Sequence, residues 1–298
     1  MRPTILVTGA GGQIGFETAR LLEAHGDVIA ADRAALDLAD PDAIVAAVRG
    51  AKPALIVNAG AYTAVDRAES EAALARAING RAPGILAEEA KRVGALLVHY
   101  STDYVFDGKR TTPYREDDPT APLNVYGQTK LEGEHAVATA GRHSLVFRTS
   151  WVYGLRGRNF LLTVRRLAAE RDEISIVADQ IGVPNWSRAL ADATARIVAA
   201  GLSWAVERAG LYHLSATGSA SWHEFAQAIV GDAKRPRVVP ITTADYPTPA
   251  RRPAYGVLGT QRFEATFGFG LDDWRESLGR CVASTKERVG QSPGPKDA

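Results

Sequence analysis

The chain has 298 residues, 46% of them hydrophobic and 23% charged, with a formal net charge of +1. That length exceeds a typical single domain and supplies ample apolar material for one large core or two fused ones. The near-neutral balance excludes the electrostatic footprint of a nucleic-acid or anionic-membrane binder. No stretch approaches the ~20 apolar residues of a membrane span. The lone cysteine, Cys281, excludes an intrachain disulfide. The N-terminal residues run directly into a short apolar strand without a secretory apolar region, so a reducing cytoplasm is the expected setting.

In chain order, Thr4–Thr8 is a β-branched run ending in glycines, and an amphipathic helix is expected from Gln13 to about His25. Further strands are predicted at 28–32, 54–58, 96–100 and 144–148. All are continuously apolar rather than alternating, the pattern of strands buried on both faces of a parallel sheet. Ala-, Leu- and Glu-rich helical segments lie between them, one opened by Thr63 with Asp66 as a capping arrangement. This βαβ alternation predicts an α/β fold with a doubly wound parallel sheet, a Rossmann domain spanning residues 1–150. From Trp151 the pattern loosens. A helix over 160–171, a strand at 174–177, a helix over 187–200 and a strand at 211–214 precede a helix opened by the capping box Ser221–Glu224. The loop 246–253 carries three prolines and is expected to be extended. Residues 151–290 read as a smaller α/β substrate lobe over the sheet's carboxyl edge, with 174–200 returning to the main sheet. The tail, 291–298, lacks apolar residues and is expected to be disordered.

Two motifs carry the chemistry. Gly9, Gly12 and Gly15 punctuate the strand-to-helix turn, where glycine lets backbone N–H groups approach a pyrophosphate at a helix N-terminus. Tyr126 and Lys130, four apart on a helix, share a face. A free phenol titrates near 10, and a cation beside it favours phenolate, which suits a proton donor for carbonyl reduction. Asp32, ending the second strand, fits the hydroxyls of an adenosine ribose and favours NADH. Arg33 fits a 2′-phosphate and favours NADPH, so both cofactors are expected. Asp37 and Leu38 read as an adenine contact or a surface turn. The small residues of 58–63 fit close passage past the cofactor, or simple tight packing. Thr102, at a strand's carboxyl end, is a second donor to a substrate carbonyl, or a turn cap. The six histidines show no metal-ligand spacing and no metal is expected.

Together the glycine turn, the strand-end Ser101-Thr102 and Tyr126-x-x-x-Lys130 resemble the extended short-chain dehydrogenase/reductases that act on nucleotide sugars. The segments 101–108, 123–130, 148–153 and 246–253 are similar to the 4-ketoreductases among them, over about residues 1–285. The resemblance implies NADH- or NADPH-dependent reduction of the 4-keto group of dTDP-6-deoxy-L-lyxo-4-hexulose to dTDP-L-rhamnose. It implies Tyr126 as proton donor, with Lys130 lowering its pKa and holding the nicotinamide ribose. Thr102 and Asp103 would hold the sugar with Trp151 packed over it, and Arg252 of the proline loop belongs with them. Gly12, Gln13, Ile14, Asp32, Ala61, Tyr62 and Thr63 would hold the dinucleotide. The chain departs from the family pattern at Tyr62, where histidine is usual, and at Asn185, where threonine is common. Of the acids that hold Mg²⁺ at a dimer contact in some relatives, Glu17 matches one, but Arg188 stands where another is expected. A homodimer stays open. So do two rivals. A dehydratase or epimerase of this fold lacks its acid here, because Tyr104 follows Asp103. A non-catalytic dinucleotide-binding subunit would not need the intact Thr102, Tyr126 and Lys130.

Overall fold

A computed structural model describes residues 2–141, 143–232 and 235–289. Its main strands are β1 (Thr4–Thr8), β2 (Asp27–Ala31), β3 (Leu55–Asn58), β4 (Leu96–Thr102), β5 (Ser144–Thr149), β6 (Glu173–Val177), β7 (Gly210–His213) and β8 (Arg237–Ile241). The principal helices are α1 (Gln13–Leu22), α2 (Pro41–Ala51), α3 (Ala82–Val93), α4 (Val125–Ala140) and α5 (Phe160–Glu170). They continue with α6 (Ser187–Ala199), α7 (Trp222–Val230), α8 (Gln261–Phe267) and α9 (Trp274–Val289).

Six strands form one parallel sheet in the order β7-β5-β4-β3-β1-β2. The predicted burial of both faces follows from strand geometry, in which successive side chains alternate sides. Ile5, Val7, Leu55, Val57, Leu96, Val98, Leu145 and Phe147 enter one core with residues of α1, α6 and α8. Leu6, Ile56, Leu97 and Val146 enter the opposite core with residues of α2, α3 and α4. A side chain such as Leu or Ile contributes about 1.5–3 kcal/mol when fully buried, so these two layers fix the sheet and the helix ends above it.

The expected return of 174–200 to this sheet divides in two. Helix α6 does pack on it, through Leu190, Ala193 and Ile197. Strand β6 does not: it pairs in parallel with β8 outside the main sheet. Its half-exposed alternation, with only Ile174 fully buried, suits a two-stranded ribbon rather than a sheet covered on both sides. The sixth strand of the main sheet is β7, which sequence assigned to the smaller lobe and which pairs with β5. Separate apolar clusters lie among later residues, around Tyr153, Phe225, Trp274 and Cys281 and around Val164, Ile174 and Ala226. The Ser221–Glu224 capping box opens α7 as predicted. Thr63 caps nothing: the short helix Val65–Ala68 starts from Ala64 without a side-chain cap. Among the described residues no helix is long and apolar enough to cross a membrane. The tail 291–298 lies outside the described residues.

Candidate active site

The chain leaves β1 for β2 on one side and returns to β3 on the other. The connections leaving the carboxyl ends of β1 and β3 therefore run to opposite sides and leave a crevice, the place where open α/β sheets take ligands. The turn that fills its floor tolerates only glycine at two points. Gly9 has φ +67°, and a Cβ there would lie 2.5 Å from the Gly60 Cα. A Cβ on Gly15 would lie 2.2 Å from the Gly9 carbonyl oxygen. Helix α1 then begins at Gly12 with no side-chain cap and no acidic residue in its first turn. Its first N–H groups and the positive end of its dipole are left for an anion, which fits a dinucleotide's diphosphate.

Above this turn opens a cavity of about 790 Å³. Gly9, Gly12, Gln13 and Ile14 line it at one end, with Arg33, Asp37, Leu38, Ala61, Tyr62 and Thr63. Thr102, Asp103, Tyr126, Lys130 and Trp151 line it at the other. Three sequence-nominated residues are not in the lining. Gly15 lies beneath the turn. The exposed carboxylate of Asp32 accepts from Ala34 N and Ala35 N, both at 3.0 Å, capping its own turn, while the neighbouring Arg33 faces the cavity. Arg252 forms a two-pronged pair with Asp66 at 2.8 and 3.0 Å. That pair also explains the failed cap, because Asp66 has a guanidinium and Ala250 N for partners.

Sequence reasoning missed Asn79, which no motif marks. It sits fully buried in the widened helical turn Ala77–Arg81 and holds the 61–63 loop by its backbone. Its side chain accepts from Tyr62 N at 2.8 Å and donates to Tyr62 O at 3.0 Å and to Thr129 Oγ1 on α4 at 3.2 Å. Tyr62 itself directs its hydroxyl to Glu71, so the family departure here is absorbed by a local acid.

Helix α4 presents Tyr126, Lys130 and Glu134 at four-residue steps on one face. Asn124 caps it, accepting from Gly127 N at 2.8 Å while donating to the Arg251 carbonyl at 2.7 Å. Buried Glu134 accepts two bonds from Arg148 of β5, at 2.6 and 2.9 Å, and one from Ser101. Tyr126 packs edge-on to Tyr104 and lines the cavity together with Thr102. The expected depression of Tyr126 by Lys130 is not what the geometry gives. Desolvation pushes Tyr126 up to about 12, opposed by the polar Thr102 hydroxyl. The Lys130 ammonium instead donates to the Tyr100 carbonyl at 2.6 Å, and burial brings it down to about 8. Burial also raises Asp103 to about 7. Its Oδ1 accepts from Thr102 at 3.1 Å, and its Oδ2 has no partner.

The far wall is aromatic. Trp151 holds a left-handed backbone at φ +42°, a strained conformation for a bulky residue. Its indole stacks on Trp222 with centroids 3.5 Å apart and planes 8° from parallel. Trp222 lines the cavity and was not nominated, since nothing in the sequence places α7 there. Arg158 was missed for the same reason. Asn185, the second family departure, is a buried hub at the exit of β5. It donates to Ser150 O at 2.8 Å and to Ser215 Oγ, and accepts from Ala216 N.

A six-stranded parallel sheet with a bare glycine turn at its switch point, facing a Tyr–Lys pair, defines a dinucleotide-dependent oxidoreductase of the short-chain class. Residues 1–287 match the family model described as RmlD substrate binding domain, and the chain belongs to that family. It is 50% identical over 293 residues to a dTDP-4-dehydrorhamnose reductase from Burkholderia thailandensis, covering 93% of this chain and 97% of the relative. Among solved structures it is similar to the dTDP-4-dehydrorhamnose reductase of Bacillus anthracis in complex with NADP. That match is 36% identical, with TM-score 0.90 over 95% of this chain and 100% of the other. A UDP-glucose 4-epimerase from Thermus thermophilus in complex with NAD, 19% identical with TM-score 0.79 over 95% and 99% of the two chains, shares the fold alone.

Proposed function

We propose that the protein reduces the 4-keto group of dTDP-6-deoxy-L-lyxo-4-hexulose to give dTDP-L-rhamnose, using NADPH or NADH. The observation that carries the reading is the meeting of Tyr126, Thr102 and Lys130 in one cleft with the uncapped start of α1. Bound along the Gly9–Gly15 turn and the 61–63 loop, a reduced nicotinamide cofactor supplies the hydride. Thr102 and Tyr126 hydrogen-bond the substrate carbonyl, and Tyr126 transfers its phenolic proton as negative charge gathers on that oxygen. Lys130, one turn along α4 and lining the same cleft, holds the nicotinamide ribose. Asp103 holds a sugar hydroxyl, and the Trp151–Trp222 wall excludes water from the reacting carbon. Arg252 acts at one remove, fixing the proline loop to Asp66. Residues 1–150, completed by α6, β7 and α8 on the main sheet, hold the cofactor, and the remaining described residues after Trp151 close over the sugar. A homodimer and a cytoplasmic setting accompany this reading.

The test is NAD(P)H oxidation on addition of the 4-keto sugar nucleotide, with the product identified by NMR. Turnover to the rhamnose nucleotide is expected. A wild-type protein that binds NADPH yet reduces no 4-keto sugar nucleotide would point to a non-catalytic dinucleotide-binding subunit instead.

A further inference from the structure

Behind Lys130 runs a row of buried polar side chains that hydride transfer leaves unused. Thr8 ends β1, Asn58 ends β3, and His99 lies opposite Asn58 in β4. All three are fully buried. Register places them side by side across three parallel strands, on the face covered by α4. The Thr8 Oγ1 and Asn58 Oδ1 atoms are 2.7 Å apart, and Asn58 Nδ2 lies 3.0 Å from His99 Nδ1. His99 Nε2 lies 3.4 Å from Lys130 Nζ, which also donates to the Tyr100 carbonyl.

Buried polar groups are costly unless donor meets acceptor throughout. A lysine ammonium can only donate, so His99 Nε2 must offer its lone pair, which puts the ring proton on Nδ1. The side-chain oxygen of Asn58 must then receive that proton, with its amide nitrogen donating to Thr8. Oxygen and nitrogen of the amide exchange positions by a half-turn without moving any neighbour. In this arrangement the ammonium, imidazole and amide are matched in sequence.

We propose that His99 is a positioning residue for Lys130: a neutral acceptor, anchored through Asn58 and Thr8, that holds the lysine charged and aimed into the cleft. Burial and the neighbouring ammonium hold the imidazole well below its ordinary value, so it stays neutral. The other groups facing Lys130 are accounted for. On α4 these are Tyr126 and Glu134, the latter paired with Arg148 of β5. From β4 and the turn after it come Tyr100, Asp103 and Tyr104, and Arg76 opposite α4 is paired with Glu132. Only His99 offers a side-chain acceptor to the ammonium among the hydrogen bonds of the described residues.

The effect on turnover rests on the proposed reduction; the effect on the lysine's own titration does not. The experiment follows the 13Cε resonance of Lys130 with pH in the unliganded protein for wild type, His99→Leu, His99→Asn and His99→Gln. Asparagine reaches Asn58 but offers nothing to Lys130, whereas glutamine restores an acceptor near the Nε2 position. Lys130 should titrate about one unit lower in the Leu and Asn variants, since a lost hydrogen bond to a charged form favours the neutral one. The Gln variant should titrate like wild type. The alkaline limb of kcat/KM should move with it. If His99→Leu does not fold, the Asn–Gln pair carries the test. Unchanged titration in the Asn variant, or the same shift in Asn and Gln variants, overturns the proposal. A wild type without turnover removes the reductase reading and leaves the titration comparison intact.

Discussion

Tyr126 is the residue on which the chemistry turns. Tyr126→Phe keeps the ring against Tyr104 and deletes the proton, so kcat should fall by about 10²–10⁴ with NADPH affinity nearly unchanged. Retention of more than a tenth of wild-type turnover would show that another group protonates the product. Arg33 faces the cavity while Asp32 caps its own turn. Arg33→Ala should therefore raise KM for NADPH and leave that for NADH nearly unchanged; equal effects on both would remove Arg33 from the phosphate. Asp103 gives a pH prediction. Its folded value, about 7, lies above the ordinary 3.8. The native state therefore holds the proton more tightly between those values, and this residue's contribution to stability falls as pH rises through that window. The buried His99 and His213, both depressed, act in the opposite sense at acid pH. The clean quantity is thus the difference between Asp103→Asn and wild type: the variant's relative Tm should climb from pH 4 to pH 7. A constant difference would mean that Asp103 is ionised in the native state throughout. The Tyr–Lys spacing and the glycines were legible because single residue types are obligatory there. The direction of the Lys130 bond was not, because it depends on the Tyr100 carbonyl and on His99, which reach it only through the sheet.

At the scale of elements, helix α4 and the proline loop are tied together. Asn124 serves both, capping α4 and holding the Arg251 carbonyl, while Arg252 is fastened to Asp66 beside the cofactor loop. Asn124→Ala should cost about 0.5–2 kcal/mol in urea unfolding, the usual range for a lost N-cap. It should also lower kcat, because Tyr126 lies in the first turn of the helix that Asn124 sets. A variant with reduced stability but wild-type kcat would show that the cap does not orient the tyrosine. Five of the six main-sheet strands were legible as apolar runs; in β1, β3, β4 and β5 burial on both faces leaves little freedom in composition, whereas the edge strand β2, expected to be buried as well, leaves Ile29 and Ala30 exposed. Strand β7 was misassigned because a four-residue apolar run carries no mark of its partner. Its place is decided by α6, whose packing on α1's side of the sheet returns the chain beside β5. The error at β6 has the same origin, since β8 follows it by some sixty residues.

At the scale of the molecule, the cleft joins two separately packed bodies of core. The Gly9–Gly15 turn and 61–63 loop belong to the main sheet, whereas Trp222 stands on α7, whose buried residues join the later clusters. Neither body forms the whole site, so the first carries the cofactor's signature and the second leaves almost no motif. This is why Trp222, Arg158 and Asn79 escaped the sequence: they are defined by approach of distant segments rather than by a local pattern.

The single thiol gives that division a clock. Cys281 is fully buried beside Trp274 and Phe225, and desolvation pushes it up to about 12, so in the closed state it is neither reachable nor ionised. Reaction with a water-soluble disulfide reagent then requires the later core to come apart, and its rate under native conditions measures how often that region breathes by itself. NADPH alone should slow labelling modestly, because its contacts lie on the main sheet. A dTDP-sugar added with it should slow labelling much further, by engaging both bodies at once. Equal protection by cofactor alone would mean that the two cores open as one unit.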